Sequence, residues 1–437
     1  MKMPFLIYAA TVIVFCLFAR TTQAADQVHP TCTKEHVRKC LQSHSLESLY
    51  TRTYYSLLDR MEPDGFLNES VTGAYPGMFP RTCGGMVSLL LETDELGAAE
   101  RMLNCVLLAT TSNDMERVPH VMERRVSQSG LVEYPIFCDQ HQLDGQASVL
   151  MTWARLALRR GHTVFEDWTY PLVAKLMDRT VDRPFFMFGG WPTEPGLIRN
   201  LCLEHSRESR YWDVFDILTQ CHVGAALEAM AIVAERRGDV KHVRRWQERM
   251  VILKRGVASN LVRQVEGKTV YLEMRLPDSP GGVPYLGMGW LNLSPIATQW
   301  EPLDRQVLRN TVNLLRKVAL QEMPGGLKWL PDDWNADGTY TKEVIGKRIG
   351  WEIEYCRQEK EYSRIIEWLD FLESVNKQPL YLESAKLGNN GQWTVRDAGN
   401  GEQASWWCWA MARLRKEVGL PAVAERPAKG QNRGSQQ

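Results

Sequence analysis

The sequence predicts an all-α fold in which six helical hairpins close into a toroid, an (α/α)6 arrangement. Three observations carry the prediction. Leu, Ala, Val, Met and Trp recur at helical spacing in about twelve segments of the 437-residue chain. The connections between them alternate, a tight turn and then a long polar loop, so the helices come in pairs. No constant-period sequence repeat runs through the chain, which argues against the rival architecture, an open superhelical array of helix pairs. A closed ring gathers its long loops at one end, and long loops are usually functional.

The chain opens with a signal-like segment over residues 1–24. Lys2 is its positive end, Leu6 to Phe18 its apolar run, and Thr22-Gln23-Ala24 its cleavage pattern. An uncleaved anchor is the alternative, but the run is short for a span. No later segment reads as long and apolar enough to cross a bilayer. The expectation is export, to the periplasm or the medium, without membrane insertion once the signal is removed. One domain then fills residues 25–424, because no Pro/Gly/Ser linker divides it. Residues 425–437, rich in Gly, Gln and charge, read as a disordered tail.

Within the domain a first helix is expected from His36 to Met61. Gly84–Leu91 and Leu96–Ala109 turn at Thr93-Asp94-Glu95, and Leu143–Arg160 and Val164–Arg179 turn at Gly161-His162. Phe215–Arg237 and Val240–Arg263 turn at Gly238-Asp239, and Leu293–Gln299 and Leu303–Ala319 at Glu301-Pro302. Arg348–Arg357 and Tyr362–Val375 turn at Gln358-Glu359-Lys360, and a last apolar helix begins near Ala404. The long loops are near 61–82, 110–143, 182–212, 264–292, 319–348 and 376–402. A strand-like piece, Thr269 to Met274, fits a small hairpin on one of them.

Composition narrows the function. Lys and Arg balance Asp and Glu at 52 each, so nothing points to nucleic acid. Nine cysteines remain after the signal, an odd and scattered set that makes no disulfide framework and shows no zinc spacing, although Cys32 and Cys40 could bridge locally. The chain carries no Walker loop, no HExxH and no GxSxG. Its histidines are few and separated, and His120, His141, His205 and His222 read as structural groups or substrate contacts rather than a ligand set. Fifteen tryptophans are many for this length, and indole faces stack on sugar rings, although core packing explains any single one.

The chemistry-bearing residues lie on the long loops. Tyr381 to Arg413 holds Glu383 and Glu402 in a glycine-rich stretch with Trp393, Arg396 and Asp397. Glu402, in the first turn of the last helix, can equally be a capping acid. Tyr211 to Asp216 opens a helix with two acids three residues apart, Asp213 as a candidate N-cap and Asp216 in an apolar turn that would raise its pKa. Asp144 follows the polar run from Asp139 and is either a cap or a substrate contact. Asp332-Asp333-Trp334, near Gly325-Gly326, could bind sugar, or calcium through its clustered oxygens, although an Asp-rich surface turn is the better reading than a metal site.

These motifs, taken together and in order, resemble the six-hairpin glycosidases, most closely the glucoamylase-like ones. Tyr75-Pro76-Gly77-Met78-Phe79-Pro80-Arg81 is similar to that family's arginine-bearing loop, and Gln142 to Gln146 to its substrate-proximal aspartate turn. Asp213-Val214-Phe215-Asp216 is similar to its Asp-Leu-Trp-Glu motif, which puts the proton donor on Asp216. Leu382-Glu383-Ser384, with Gly399 and Trp406 after it, is similar to its Leu-x-Glu-Gln segment, which puts the base on Glu383. The chain departs at Thr82, where the family has aspartate, at Asp216 in place of glutamate, and at Ser384 in place of glutamine. Glu402-Gln403 supplies a competing Glu-Gln pair downstream.

The resemblance implies cofactor-free, metal-free hydrolysis of an oligo- or polysaccharide with inversion. Asp216 would protonate the leaving oxygen while Glu383, or Glu402, activates water from about 6.5–9.5 Å away. Arg81, Asp144, Asp213 and Arg396 are then candidates to hold hydroxyls, and Trp290, Trp329, Trp334 and Trp393 to stack on sugar rings. The rivals are a lyase or epimerase on the same toroid, using His120, His141 or Tyr211, and a non-catalytic carbohydrate-binding toroid.

Overall fold

The structure, a computed structural model, describes residues 32–138, 142–182, 196–200, 214–276 and 283–426. Residues 1–31, the residues after Arg426, and His141, His205, Tyr211, Trp212 and Asp213 lie outside the described residues.

Among the described residues there are thirteen helices. They are α1 (Lys34–Leu41), α2 (His44–Arg60), α3 (Cys83–Glu92), α4 (Leu96–Ser112), α5 (Leu143–Arg160), α6 (Val164–Asp182) and α7 (Ile217–Arg236). The remainder are α8 (Val240–Asn260), α9 (Ser294–Thr298), α10 (Arg305–Ala319), α11 (Gly346–Glu359), α12 (Tyr362–Val375) and α13 (Gly401–Glu417). The predicted first helix is two helices. Ser43 breaks it, its Oγ accepting from the Leu46 amide to start α2.

The inner helices close a ring. Contacts run from α3 to α5, α7, α9, α11 and α13, and from α13 back to α3. Each of α4, α6, α8 and α12 packs outside its hairpin partner, and α10 packs on the 3-10 turn Trp290–Leu293 that leads into α9. The sixth hairpin joins the two ends of the domain, with α2 against α13.

Residue choice explains which helices go inside. α7 and α13 are buried around nearly their whole circumference, as helices without a polar face must be. α10 is two-faced instead, burying Leu308, Thr311, Val312, Leu315 and Ala319 at helical spacing and turning Arg309 and Lys317 outward, while Arg316 reaches in to the buried Glu352 of α11. α7 is also long and apolar enough to cross a membrane by length and composition, which corrects the sequence expectation that no segment is. Most of its side chains are buried in the ring, with Glu228, Ile232, Glu235 and Arg236 exposed.

Glycine sets the closest approach within the ring. A Cβ on Gly350 of α11 would stand 2.9 Å from the Trp406 carbonyl oxygen and the Trp407 Cα of α13, and one on Gly85 of α3 would stand 2.5 Å from Ser405 Oγ. Small antiparallel sheets dress the loops. Glu343–Ile345, Ser384–Leu387 and Trp393–Arg396 form one of three strands, which ties the loops before α11 and α13 together. The hairpin expected around Thr269 pairs Val262–Val265 with Lys268–Tyr271. Cys32 and Cys40 are both free thiols, and Arg426, assigned above to the tail, packs over the Tyr55 ring at 5.0 Å.

Candidate active site

Each inner helix begins after a long loop and ends at or beside a tight connection or the end of the domain, so all six N-termini face the same end of the ring. Each N-terminus presents amides without intrahelical partners and the positive end of the helix dipole. The acids and bases singled out above stand there. Arg81 lies just before α3, Asp144 in the first turn of α5, Asp216 at the cap of α7, and Glu402 in the first turn of α13.

A narrow cavity opens among them, lined by Arg81, Asp144, Ser148, Leu218, His222, Lys347, Trp351, Glu402 and Trp406. Glu402 is its electrostatic centre. Arg81 Nε donates to one carboxylate oxygen and Lys347 Nζ to the other, both at 3.0 Å. Burial alone would raise the Glu402 pKa, but Lys347 and Arg81 outweigh it and hold the carboxyl well below the ordinary carboxylate range. Glu402 is therefore an anion locked between two cations. The Lys347 ammonium also sits 4.1 Å above the Trp290 ring. His222 donates from Nδ1 to the Leu218 carbonyl oxygen at 2.9 Å, and burial lowers its pKa to about 4, so the ring is neutral.

Glu383 has a different setting. It precedes the strand Ser384–Leu387, and its side chain is 13% exposed. Tyr75 Oη donates to Oε1 at 3.1 Å, Ser384 Oγ donates to Oε2 at 3.2 Å, and Arg396 Nε stands 3.7 Å from Oε2. Burial raises its pKa, with Arg396, Tyr75 and Ser384 opposing. The two glutamates flank one helix start: the Gly346 amide donates to the Glu383 carbonyl oxygen and the Lys347 amide to Gln403 Oε1, each at 2.7 Å. Glu383 does not line the cavity around Glu402.

Asp216 corrects the sequence reading of its turn. The helix starts at Ile217, three residues later than an N-cap at Asp213 needs, so the N-cap of α7 is Asp216. One oxygen accepts from the Thr219 amide at 2.6 Å and the other from the Thr219 hydroxyl at 2.8 Å. It is fully buried, which raises its pKa to about 6. It also lies outside the cavity lining. Its link to the cavity runs through Asn200, whose amide donates to Thr219 Oγ1 at 2.9 Å and to Asp144 Oδ1 at 2.8 Å.

The tryptophans named from sequence divide. Trp329 is buried edge-on to Trp393 at 5.0 Å, and Trp393 packs on Phe371 of α12 at 5.2 Å, so these two serve the core under the loops. Trp290 is buried beneath Lys347. Trp334 is half-buried in the short strand Asp333–Trp334. The acids of that stretch are not a surface turn: Asp332 and Asp333 are buried, and Asp332 Oδ1 accepts from the Ile345 amide at 2.6 Å, just before α11.

Sequence reasoning missed Lys347, Trp351 and the part played by Tyr75. Trp351 Nε1 is buried with no hydrogen-bond partner among the described residues. Lys347 and Trp351 sit on one turn of an apolar helix, and the signal that could have found them is a lysine buried at a helix N-terminus, where a cation opposes the dipole. Outside the ring a wider groove between α6 and α8, lined by Tyr170, Lys175, Asp178 and His242, is separate from these N-termini.

No protein-family model matches the chain, and no curated protein matches it in sequence. Solved structures do match in fold. A wild-type glycosidase is 16% identical with a TM-score of 0.59, over 87% of this chain and 100% of its own. A bacterial glucoamylase complexed with acarbose is 14% identical with a TM-score of 0.60, over 89% of this chain and 59% of its own. A metal-independent alpha-mannosidase of Streptococcus pneumoniae, complexed with alpha-1,6-mannobiose, is 10% identical with a TM-score of 0.63, over 87% of this chain and 97% of its own. With the closed ring of six hairpins, these likenesses show that the chain has the glucoamylase-like six-hairpin toroid fold.

Proposed function

We propose that this protein is an exported glycoside hydrolase that cleaves an oligo- or polysaccharide by an inverting, two-carboxylate mechanism. The observation that carries the reading is the contrast between two carboxylates flanking one helix start. Glu402 is a fixed anion held by Arg81 and Lys347, suited to binding hydroxyls. Glu383 is partly open, with a raised pKa and a tyrosine hydroxyl on one oxygen, suited to taking a proton from water. Glu383 is the base in this reading, and Arg81, Asp144, Lys347 and Glu402 hold the sugar. The fold neighbours support a saccharide, since acarbose and alpha-1,6-mannobiose are bound in two of them.

The donor assignment to Asp216 rests on the motif and on its pKa of about 6. Asp216 is fully buried and outside the cavity lining, so its surroundings must open before it can reach a leaving oxygen. That requirement favours one second reading, a carbohydrate-binding toroid without turnover. A screen on defined oligosaccharides, with the product anomer read by NMR immediately after cleavage, separates the two. Hydrolysis with inverted configuration is expected. Retained configuration removes the mechanism, and saccharide binding without cleavage gives the second reading.

A further inference from the structure

Glu69 is a buried carboxylate that the mechanism above does not use. It lies on the loop between α2 and α3, and three of its groups grip the site's framework. Oε1 accepts from the Glu402 amide at 2.8 Å, Oε2 from the Thr82 hydroxyl at 2.5 Å, and its carbonyl oxygen from the Gly401 amide at 2.6 Å. Thr82 follows Arg81 in sequence, so one side chain holds the backbone neighbourhoods of both partners in the Arg81–Glu402 pair. Those partners are 321 residues apart and nothing local sets their distance.

We propose that Glu69 is a positioning residue for the Arg81–Glu402 pair, and that its proton state tunes how that pair holds a saccharide. The charge surroundings make the second half follow. Glu402 faces Glu69 from α13, Arg81 from the turn before α3, Arg60 from the end of α2, and the Cys83 thiol from the start of α3. Asp397 shares the field of Arg60. Burial, then repulsion by Glu402, raises the Glu69 pKa to about 7, against the pull of Arg81 and its two hydrogen bonds. A raised carboxyl binds its proton more tightly folded than unfolded. Its contribution to stability is thus fully present below about 4.5, and is lost as pH rises through about 7. Above that range a second anion stands behind Glu402 and competes for Arg81.

The proposal rests on the reading of Arg81 and Glu402 as saccharide-holding groups, so its test has one arm that needs no substrate. That arm is a double-mutant cycle between Glu69→Gln and Arg81→Gln, read as thermal unfolding midpoints at pH 5 and pH 8. Coupling that differs between the two pH values is expected. Additive effects at both would overturn the proposal, whatever the activity. The other arm measures KM and kcat against pH. The wild type should show a limb in KM near pH 7, Glu69→Gln should lose it, and kcat should change less than KM. Thr82→Val keeps the charge but removes one donor to Glu69, and should move the limb to higher pH. A KM limb unchanged in both variants overturns the proposal even with coupling present. Absence of hydrolysis by the wild type counts against the glycosidase reading alone, and the cycle then decides.

Discussion

Glu383 and Glu402 carry the same side chain in opposite surroundings, and the difference is a prediction. Glu383→Gln should abolish turnover while leaving oligosaccharide binding within a few-fold, because only the proton acceptor is removed. Glu402→Gln leaves Arg81 and Lys347 buried without their shared counter-charge. A broken buried pair costs about 3–5 kcal/mol, so this variant should lose stability in urea unfolding and bind more weakly, with turnover still measurable. If Glu402→Gln is instead inactive and fully binding-competent, the two roles exchange. Asp216 is tested by its amide. As a donor, Asp216→Asn should lower turnover by roughly 10²–10⁴-fold on poor leaving groups and spare aryl glycosides with acidic ones. Equal losses on both substrate types would leave Asp216 as the cap of α7 only.

At the scale of the element, the site is made from helix starts. The first turn of an inner helix is the one place where a buried backbone still has amides to offer, and acids are favoured there. This explains why every acid read from the sequence at such a start was also readable as a cap. Asp216 is a cap. Glu402 is not the cap of α13, because Asn400 fills that position by accepting from the Gln403 amide at 3.1 Å. The same helices tolerate little change where they touch. Gly350→Ala would push a methyl carbon to 2.9 Å from α13 backbone and separate α11 from α13. Overpacking of this kind costs about 1–3 kcal/mol, which a shift in the denaturation midpoint would register, and activity should fall with it because Lys347 and Glu402 ride on those two helices. A variant as stable as the wild type would show that the ring can relax there.

For the whole molecule, burial inside the ring ties stability to pH in both directions. His222 is buried neutral with its pKa lowered from 6.5 to about 4. Its contribution is present above about 6.5 and is lost as pH falls through about 4, a term of up to about 3 kcal/mol. Asp216 has the opposite sign, since its raised pKa makes stability fall as pH rises from about 4 to about 6. The test is His222→Asn, which keeps a donor for the Leu218 carbonyl oxygen but does not titrate. The gap between wild-type and variant unfolding midpoints should narrow steadily from pH 7 to pH 4. A constant gap would mean that His222 does not gain a proton on unfolding.

The chain's own pattern determined the architecture. Apolar residues at helical spacing set which segments are helices, and the alternation of tight turns with long polar loops set how they pair, because a short connection forces antiparallel neighbours. It also put acids and an arginine at the long-loop end, where Arg81, Asp144 and Glu402 do meet. What it did not carry were the meetings themselves. Whether Trp329 and Trp393 face a sugar or a core depends on α12 lying beneath them. Whether Glu402 is a base or an anchored anion depends on Lys347 and Arg81, 55 and 321 residues away. Periodicity records which face a residue shares with its own neighbours along a helix. Which charge stands opposite it, and therefore which proton it keeps, is decided only when the ring closes.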